Sequence, residues 1–237
     1  MIKALILDYN GVIVNDEPLH LEAFREVLEA DGISLDAEEY YTKYLGVSDR
    51  EILRALFEGR QRGAGGKSDL DAEFDHLLAR KAMAYRRLVK SDIPEVPGAP
   101  GFILEAARKY PLAVASGALR VEVEDGLCRL GVREAISAVV TIEDVSRGKP
   151  DPETFIRARE ALIRIRSLSR SEPSLLLEEP TASFLVIEDS PAGLAAARAA
   201  WMPAVGLSTS RPAADMKPAS LVLPDLTSLT REMIEAI

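Results

Sequence analysis

The chain begins MIKALILDYNGVIVNDEPLH (residues 1–20), and the part that decides the fold is ILDYNGV, residues 6–12. An apolar run ends abruptly in Asp8, Asn10-Gly11 follows as a turn signal, and the apolar character then resumes. A short run without polar alternation reads as a strand buried on both faces, the kind found in parallel sheets covered by helices. Four further runs have the same character, at 112–115, 138–141, 184–187 and 204–207, and 221–223 would add a sixth strand to the first at 2–7. Helical patterns at 101–109, 120–130, 152–165 and 191–200 alternate with them. This alternation predicts an α/β protein with a doubly wound parallel sheet.

The rhythm breaks between the first two strands, where the intervening chain reads as helices. One is expected over 19–30, behind Pro18 and stopped by Gly32, and one over 36–44, opened by a D-x-x-E box. A third, over 48–57, starts with the capping box Ser48 to Glu51, and the longest covers 70–89. Residues 1–15 and 97–237 are therefore expected to form a Rossmann-like core, with 16–96 inserted after the first strand as a helical cap domain and PEVPGAPG (94–101) as a stiff return linker. GRQRGAGGKS (59–68) ends like a phosphate loop, but Gln61 stands where such a loop needs its first glycine and no buried strand precedes it, so it reads as an interhelical loop. Residues 164–180 read as a surface excursion.

Composition narrows the function. With 47% hydrophobic and only 5% aromatic residues, the core is expected to be aliphatic. A net charge of -9 and a pI near 5.0 leave no basic footprint for nucleic acid or an anionic membrane surface. An anionic small substrate stays possible, because a bound metal and a few cations can invert the field of a site. No apolar stretch approaches the roughly 18 residues needed to span a bilayer, and the N-terminal run is too short for a signal sequence. The single cysteine, Cys128, permits no intramolecular disulfide and reads as a buried filler on a helix. A cytoplasmic monomer is the expectation.

In open parallel sheets, ligands bind beyond the carboxyl ends of the strands. Those ends deliver Asp8 and Asn10, then Ser116, then Lys149 in the loop GKPDPE, then Glu188 and Asp189. Taken singly each has a bland alternative. Asp8 could make an Asx turn, Ser116 and Asp189 or Ser190 could cap helices, and Lys149 could be an exposed loop lysine. Recurring in order at successive strand ends, they form an acidic cluster facing one lysine and one hydroxyl. That set makes chemical sense if a divalent cation joins carboxylates to a phosphate.

The ordered set LILDYNGV, VASG, GKPDPE and LVIEDSPAG resembles the haloacid dehalogenase superfamily of phosphotransferases. The helical insert entered through NDEPLHLEAF (15–24) resembles the branch with β-phosphoglucomutase and phosphoglycolate phosphatase. The resemblance implies that Asp8 is a nucleophile forming an aspartyl phosphate. It further implies Mg²⁺ held by Asp8, Asp189, Glu188 directly or through water, and the Asn10 carbonyl. Ser116 with Gly117 would bind the phosphoryl oxygens and Lys149 would neutralise charge. YLGVSDREIL (44–53) resembles the substrate loop of the cap, which makes Ser48 and Arg50 candidate substrate contacts, and His20 matches a histidine near the cap hinge. One departure stands out: the residue two after the nucleophile is usually a second Asp that protonates the leaving oxygen, and here it is Asn10.

The retained Glu188-Asp189 pair argues against carbon dehalogenation, which needs no metal. Phosphonate cleavage would need a cap lysine, and Lys43, Lys67 and Lys81 stand in no recognisable context. The expected function is a Mg²⁺-dependent phosphatase or phosphotransferase of a small phosphorylated metabolite, impaired or specialised by Asn10. A β-phosphoglucomutase-like mutase and a non-catalytic phosphometabolite-binding protein are the alternatives.

Overall fold

The computed structural model describes the backbone of residues 1–44, 47–58, 67–89, 93–168, 179–217 and 219–237, and the side chains of all these but 58, 67–73 and 166–168. Of the interhelical loop expected at 59–68, residues 59–66 lie outside the described residues, as do 169–178 in the middle of the excursion, while Lys67 and Ser68 already belong to the helix Lys67–Val89. The described chain falls into two compact units, residues 1–15 with 93–237 and residues 16–92.

The first unit is built on a six-stranded, wholly parallel sheet of β1 (Ala4–Leu7), β2 (Leu112–Ala115), β3 (Ala138–Val140), β4 (Phe184–Glu188), β5 (Ala204–Leu207) and β6 (Leu221–Leu223). Its order is β3-β2-β1-β4-β5-β6. The winding therefore reverses beside β1, which is the topological switch point of such a sheet. Because β1 pairs on both edges, Leu7 lies level with Val114 on one side and Ile187 on the other. The residue after it, Asp8, continues the β4 ladder by donating its amide to the Ile187 carbonyl at 2.9 Å.

Both faces of the sheet are buried along its four inner strands, as their unbroken apolar sequences require, while the edge strand β6 is half-buried. Ala4, Ile6, Ala113, Ala115, Phe184 and Val186 share one cluster with Phe155, Ala158 and Leu162 of α7 (Glu153–Leu168) and Leu194 and Ala197 of α8 (Pro191–Ala199). Alanines on this face make room for the phenylalanine rings. The alternate residues Leu5, Leu7, Leu112, Val114, Leu185 and Ile187 are fully buried as well. α5 (Ala99–Ala106) and α6 (Arg120–Arg129) complete the crossovers, and α9 (Arg231–Ala236) follows the last strand.

The second unit consists of α1 (Glu17–Glu29), the short α2 (Ala37–Glu39) running into a π-turn at Tyr40–Tyr44, α3 (Asp49–Glu58) and α4 (Lys67–Val89). Phe24 and Leu28 of α1, Leu53 and Phe57 of α3, and Phe74 and Leu77 of α4 form its core. Asp36 caps α2 through the Glu39 amide, as the D-x-x-E box predicts.

Three local expectations are corrected. The sequence 94–101 is not linker throughout: Glu95 pairs with Val14, Val96 donates to the Ile13 carbonyl, and α5 already begins at Ala99. The strand expected at 138–141 ends at Val140, because the Thr141 amide and hydroxyl turn to the Asp144 carboxylate. Cys128 is exposed rather than buried. α6 buries Val123, Gly126 and Leu127, and the next residue is rotated about 100° away from that face.

Gly126 sits there because the ring of Tyr9 passes against α6. A Cβ at 126 would lie 1.7 Å from the Tyr9 hydroxyl oxygen. Gly126→Ala is expected to lower unfolding free energy by about 1–3 kcal/mol, the usual cost of overpacking. In a Tyr9→Phe background, which removes the closest atom, the penalty is expected to shrink. Urea denaturation of the two single variants and the double variant measures both effects.

Candidate active site

The ends of two strands meet around one ammonium group. Lys149 Nζ lies 2.8 Å from Asp8 Oδ1 and 2.7 Å from Glu188 Oε1. Asp8, Glu188 and Asp189 each offer a carboxylate oxygen within 4.8 Å of the others, and all three side chains are buried. The turn after β1 explains the posture of Asp8. The Tyr9 carbonyl accepts the amides of Ile13 at 2.8 Å and Val14 at 3.1 Å, and the Tyr9 amide donates to Asp8 Oδ1 at 2.8 Å. Gly11 takes φ +70°, and a Cβ there would lie 1.8 Å from Asp189 Oδ2. Only glycine both adopts that conformation readily and leaves the carboxylate its place. Asn10, half-buried, bridges through its backbone to Val14 within the same turn.

Glu188 and Asp189 are adjacent but differently employed. Glu188 Oε1 accepts Lys149, while Oε2 accepts the Asp189 amide at 2.8 Å, the Ser190 amide at 2.7 Å and the Ser190 hydroxyl at 2.9 Å. Glu188 thus anchors the loop and the lysine, and Asp189 is the member held closest to the Asp8 turn. Ser190 in turn caps α8 by accepting the Gly193 amide at 3.0 Å. Ser116 is buried at the end of β2, where its amide extends the ladder to the Val140 carbonyl and its hydroxyl oxygen accepts the Ala118 amide at 3.0 Å. Gly117 beside it is exposed.

Electrostatics follow from burial. Desolvation is the largest influence on Asp8. It outweighs the attraction of Lys149 and, helped by repulsion from Glu188, raises the carboxyl to about 7. Burial, Glu188 and Asp8 raise Asp189 well above the usual range, against a hydrogen bond from Ser210. Burial alone would depress Lys149 and raise Glu188. Their mutual pairing and Asp8 reverse the first, and Lys149 leads the reversal of the second, so the lysine is raised and the glutamate lowered. With every group ionised, three carboxylates face one ammonium, an excess of two negative charges. A divalent cation with hard oxygen ligands matches that donor set and that charge.

Two residues escaped the sequence reading. Thr209 Oγ1 donates to the Gly11 carbonyl and Ser210 bonds Asp189, so the loop after β5 ties together the turns after β1 and β4. The signal was available, since STS (208–210) follows a predicted strand end like the others did.

The candidate substrate contacts of the inserted segment belong to the helical unit. His20 is stacked on Tyr85 with ring centroids 4.3 Å apart, with Nε2 3.2 Å from Asp16 Oδ2 and Nδ1 against Lys81 Nζ. Burial and Lys81 depress its pKa, but Asp16 and Glu17 outweigh them and leave it raised. Lys81, only 2% exposed, is ion-paired to Asp49 Oδ2 at 2.8 Å. Ser48 shares a capping box with Glu51, its hydroxyl donating at 2.7 Å, and Arg50 pairs with Asp75.

Comparisons with known proteins identify the family. The family model described as haloacid dehalogenase-like hydrolase matches residues 2–200. The validoxylamine A 7'-phosphate phosphatase of Streptomyces hygroscopicus subsp. limoneus is 30% identical over 236 residues, covering 97% of this chain and 96% of that protein. The β-phosphoglucomutase of Bacillus subtilis is 27% identical, covering 98% and 93%. The crystal structure of CbbY from Rhodobacter sphaeroides in complex with phosphate superposes with a TM-score of 0.78 at 25% identity, covering 99% of this chain and all of that one. The chain belongs to the haloacid dehalogenase-like hydrolases, on the branch that includes β-phosphoglucomutase, and is an enzyme of the phosphoric monoester hydrolase type.

Proposed function

We propose that the protein is a Mg²⁺-dependent phosphotransferase that takes the phosphoryl group of a small phosphorylated metabolite, of the carbohydrate kind named for its relatives, onto Asp8. The observation that carries this reading is the convergence of Asp8, Glu188 and Asp189 on Lys149. Asp8 Oδ1 is engaged by Lys149 and the Tyr9 amide, and Oδ2 is proposed as the attacking oxygen. Lys149 holds positive charge beside the transferred group, and Ser116 and Gly117 receive its equatorial oxygens. Bound to Asp8, Asp189 and the Asn10 carbonyl, with Glu188 behind them, Mg²⁺ would supply charge neutralisation for the phosphoryl oxygens. His20, Ser48 and Arg50 are proposed as contacts for the rest of the substrate. The protein is read as a cytoplasmic monomer.

Asn10 separates this reading from a non-catalytic binder. An amide can hold the turn but cannot give a proton to the leaving oxygen. Asn10→Asp is therefore expected to raise single-turnover phosphorylation by alkyl phosphate esters about 10-fold or more, within the range of general acid catalysis. p-Nitrophenyl phosphate, whose leaving group needs little protonation, gains less, and Asp8→Asn abolishes reaction with both. Equal gains for both esters, or none, would remove Asn10 from the proton path. The absence of any phosphoenzyme favours the binder.

Asp189→Ala is expected to abolish detectable Mg²⁺ binding in calorimetry and nearly all turnover, because it deletes the carboxylate least committed to other groups. Unchanged affinity would take Asp189 out of the metal site.

The raised carboxyls give a pH signature in the protein alone. The folded state holds protons on Asp8 that the unfolded chain releases, so metal-free stability falls as pH rises from about 4 to about 7. Mg²⁺ displaces those protons, so its affinity is expected to rise about tenfold per pH unit per proton displaced through that window. Thermal melts with Mg²⁺ or chelator across this range should show a metal-induced rise in Tm that grows with pH. A pH-independent rise would overturn the assignment.

A further inference from the structure

We infer that the donors this site uses best are acyl phosphates, mixed anhydrides of a carboxylic acid with phosphoric acid, rather than phosphate esters of alcohols. The inference rests on the reading of Asp8 as the phosphoryl acceptor and adds to it the chemistry of the leaving group.

The observations concern where protons can come from. An alkoxide leaving from phosphorus must be protonated as the bond breaks, and at position 10 there is an amide with no ionisable proton. Among the described residues, Asp189, whose raised carboxyl holds a proton in the metal-free protein, gives that proton up when it takes Mg²⁺, and the remaining proton-bearing side chains considered at this edge of the sheet have assigned partners. Lys149 is held between Asp8 and Glu188, the Ser210 hydroxyl is on Asp189, and the Tyr9 hydroxyl reaches away to the Glu122 carbonyl at 3.3 Å. Ser116 accepts the Ala118 amide, and its own hydroxyl is far too weak an acid to serve. Within the helical unit, both ring nitrogens of His20 are engaged, by Asp16 and Lys81, and Lys81 is bound to Asp49.

A carboxylate leaves without needing a proton. In the step inferred here, Asp8 Oδ2 forms a bond to phosphorus while the bond between phosphorus and the acyl oxygen breaks. The electron pair departs with that oxygen, and a free carboxylate anion is released. No proton moves, so Asn10 is no handicap. The energetics agree, because an aspartyl phosphate is itself an acyl phosphate and the exchange makes and breaks the same kind of bond. Transfer from an alcohol ester to Asp8 is uphill by comparison. The second half-reaction differs: water attacking the aspartyl phosphate must lose a proton, which an Asp at position 10 would accept and Asn10 cannot. The phosphorylated protein is therefore expected to outlive a counterpart carrying Asp at position 10.

The test uses acetyl phosphate and, as the alcohol ester, glucose 6-phosphate, each mixed with the full chain and Mg²⁺ and quenched in acid. Phosphoenzyme is read as the added mass of one phosphoryl group on the intact protein, and free phosphate is counted with it. Acetyl phosphate is expected to phosphorylate at least about 100-fold faster than glucose 6-phosphate, the lower bound of general acid catalysis being forfeited only by the ester. Asp8→Asn is expected to remove the adduct, and Asn10→Asp to narrow the ratio by accelerating the ester. A glucose 6-phosphate rate within about tenfold of acetyl phosphate, or above it, overturns the inference and leaves the proposed phosphotransferase standing. Failure of both donors to phosphorylate Asp8 overturns both.

Discussion

The site depends on one buried ammonium. Lys149 lies within ion-pair distance of two carboxylates that come from different strands, and each of those is removed from water. An uncompensated buried charge costs several kcal/mol, so neither Asp8 nor Glu188 could stay ionised at these depths without it. The compensation is incomplete. Asp8 and Asp189 still have raised pKa values, first because burial desolvates them and then because neighbouring carboxylates repel them, and three carboxylates face the one lysine. A phosphotransfer site needs that imbalance, because it is what recruits a divalent cation.

The sheet makes this charge density sustainable. β1 is paired along both edges, and its carbonyls and amides are committed to β2 and β4, so the backbone under Asp8 is rigid. Glu188 spends one oxygen on three donors of its own loop, which fixes Asp189 and starts α8 at the same point. Thr209 and Ser210 then bind the turn after β1 to the strand beyond β4. Substitutions at either hydroxyl would loosen the carboxylates without touching a reacting atom, and such residues position the site rather than react in it.

Within the helical unit a second buried lysine follows the same logic. Lys81 is paired with Asp49 and bonded to His20, whose other nitrogen meets Asp16.

How much of this was legible in the sequence follows from the range of each interaction. Apolar runs of three to six residues announced the strands because burial on both faces leaves no room for polar alternation, and the ordered strand ends named Asp8, Ser116, Lys149, Glu188 and Asp189 because ligands gather there in open parallel sheets. The Ser48 and Asp36 caps were readable since they join residues three apart. The orientation of Cys128 turned on which stripe of α6 faces Tyr9, and the shortened linker on the pairing of Glu95 with Val14, neither of which is local. The roles of Thr209 and Ser210, and the different duties of the adjacent Glu188 and Asp189, depend on partners far away in the chain. Sequence by itself determined the strands, their order of appearance and the types of residue at their ends. Only the tertiary structure decided which oxygen faces which donor, because hydrogen bonds and desolvation act over a few ångströms of space and are blind to separation along the chain.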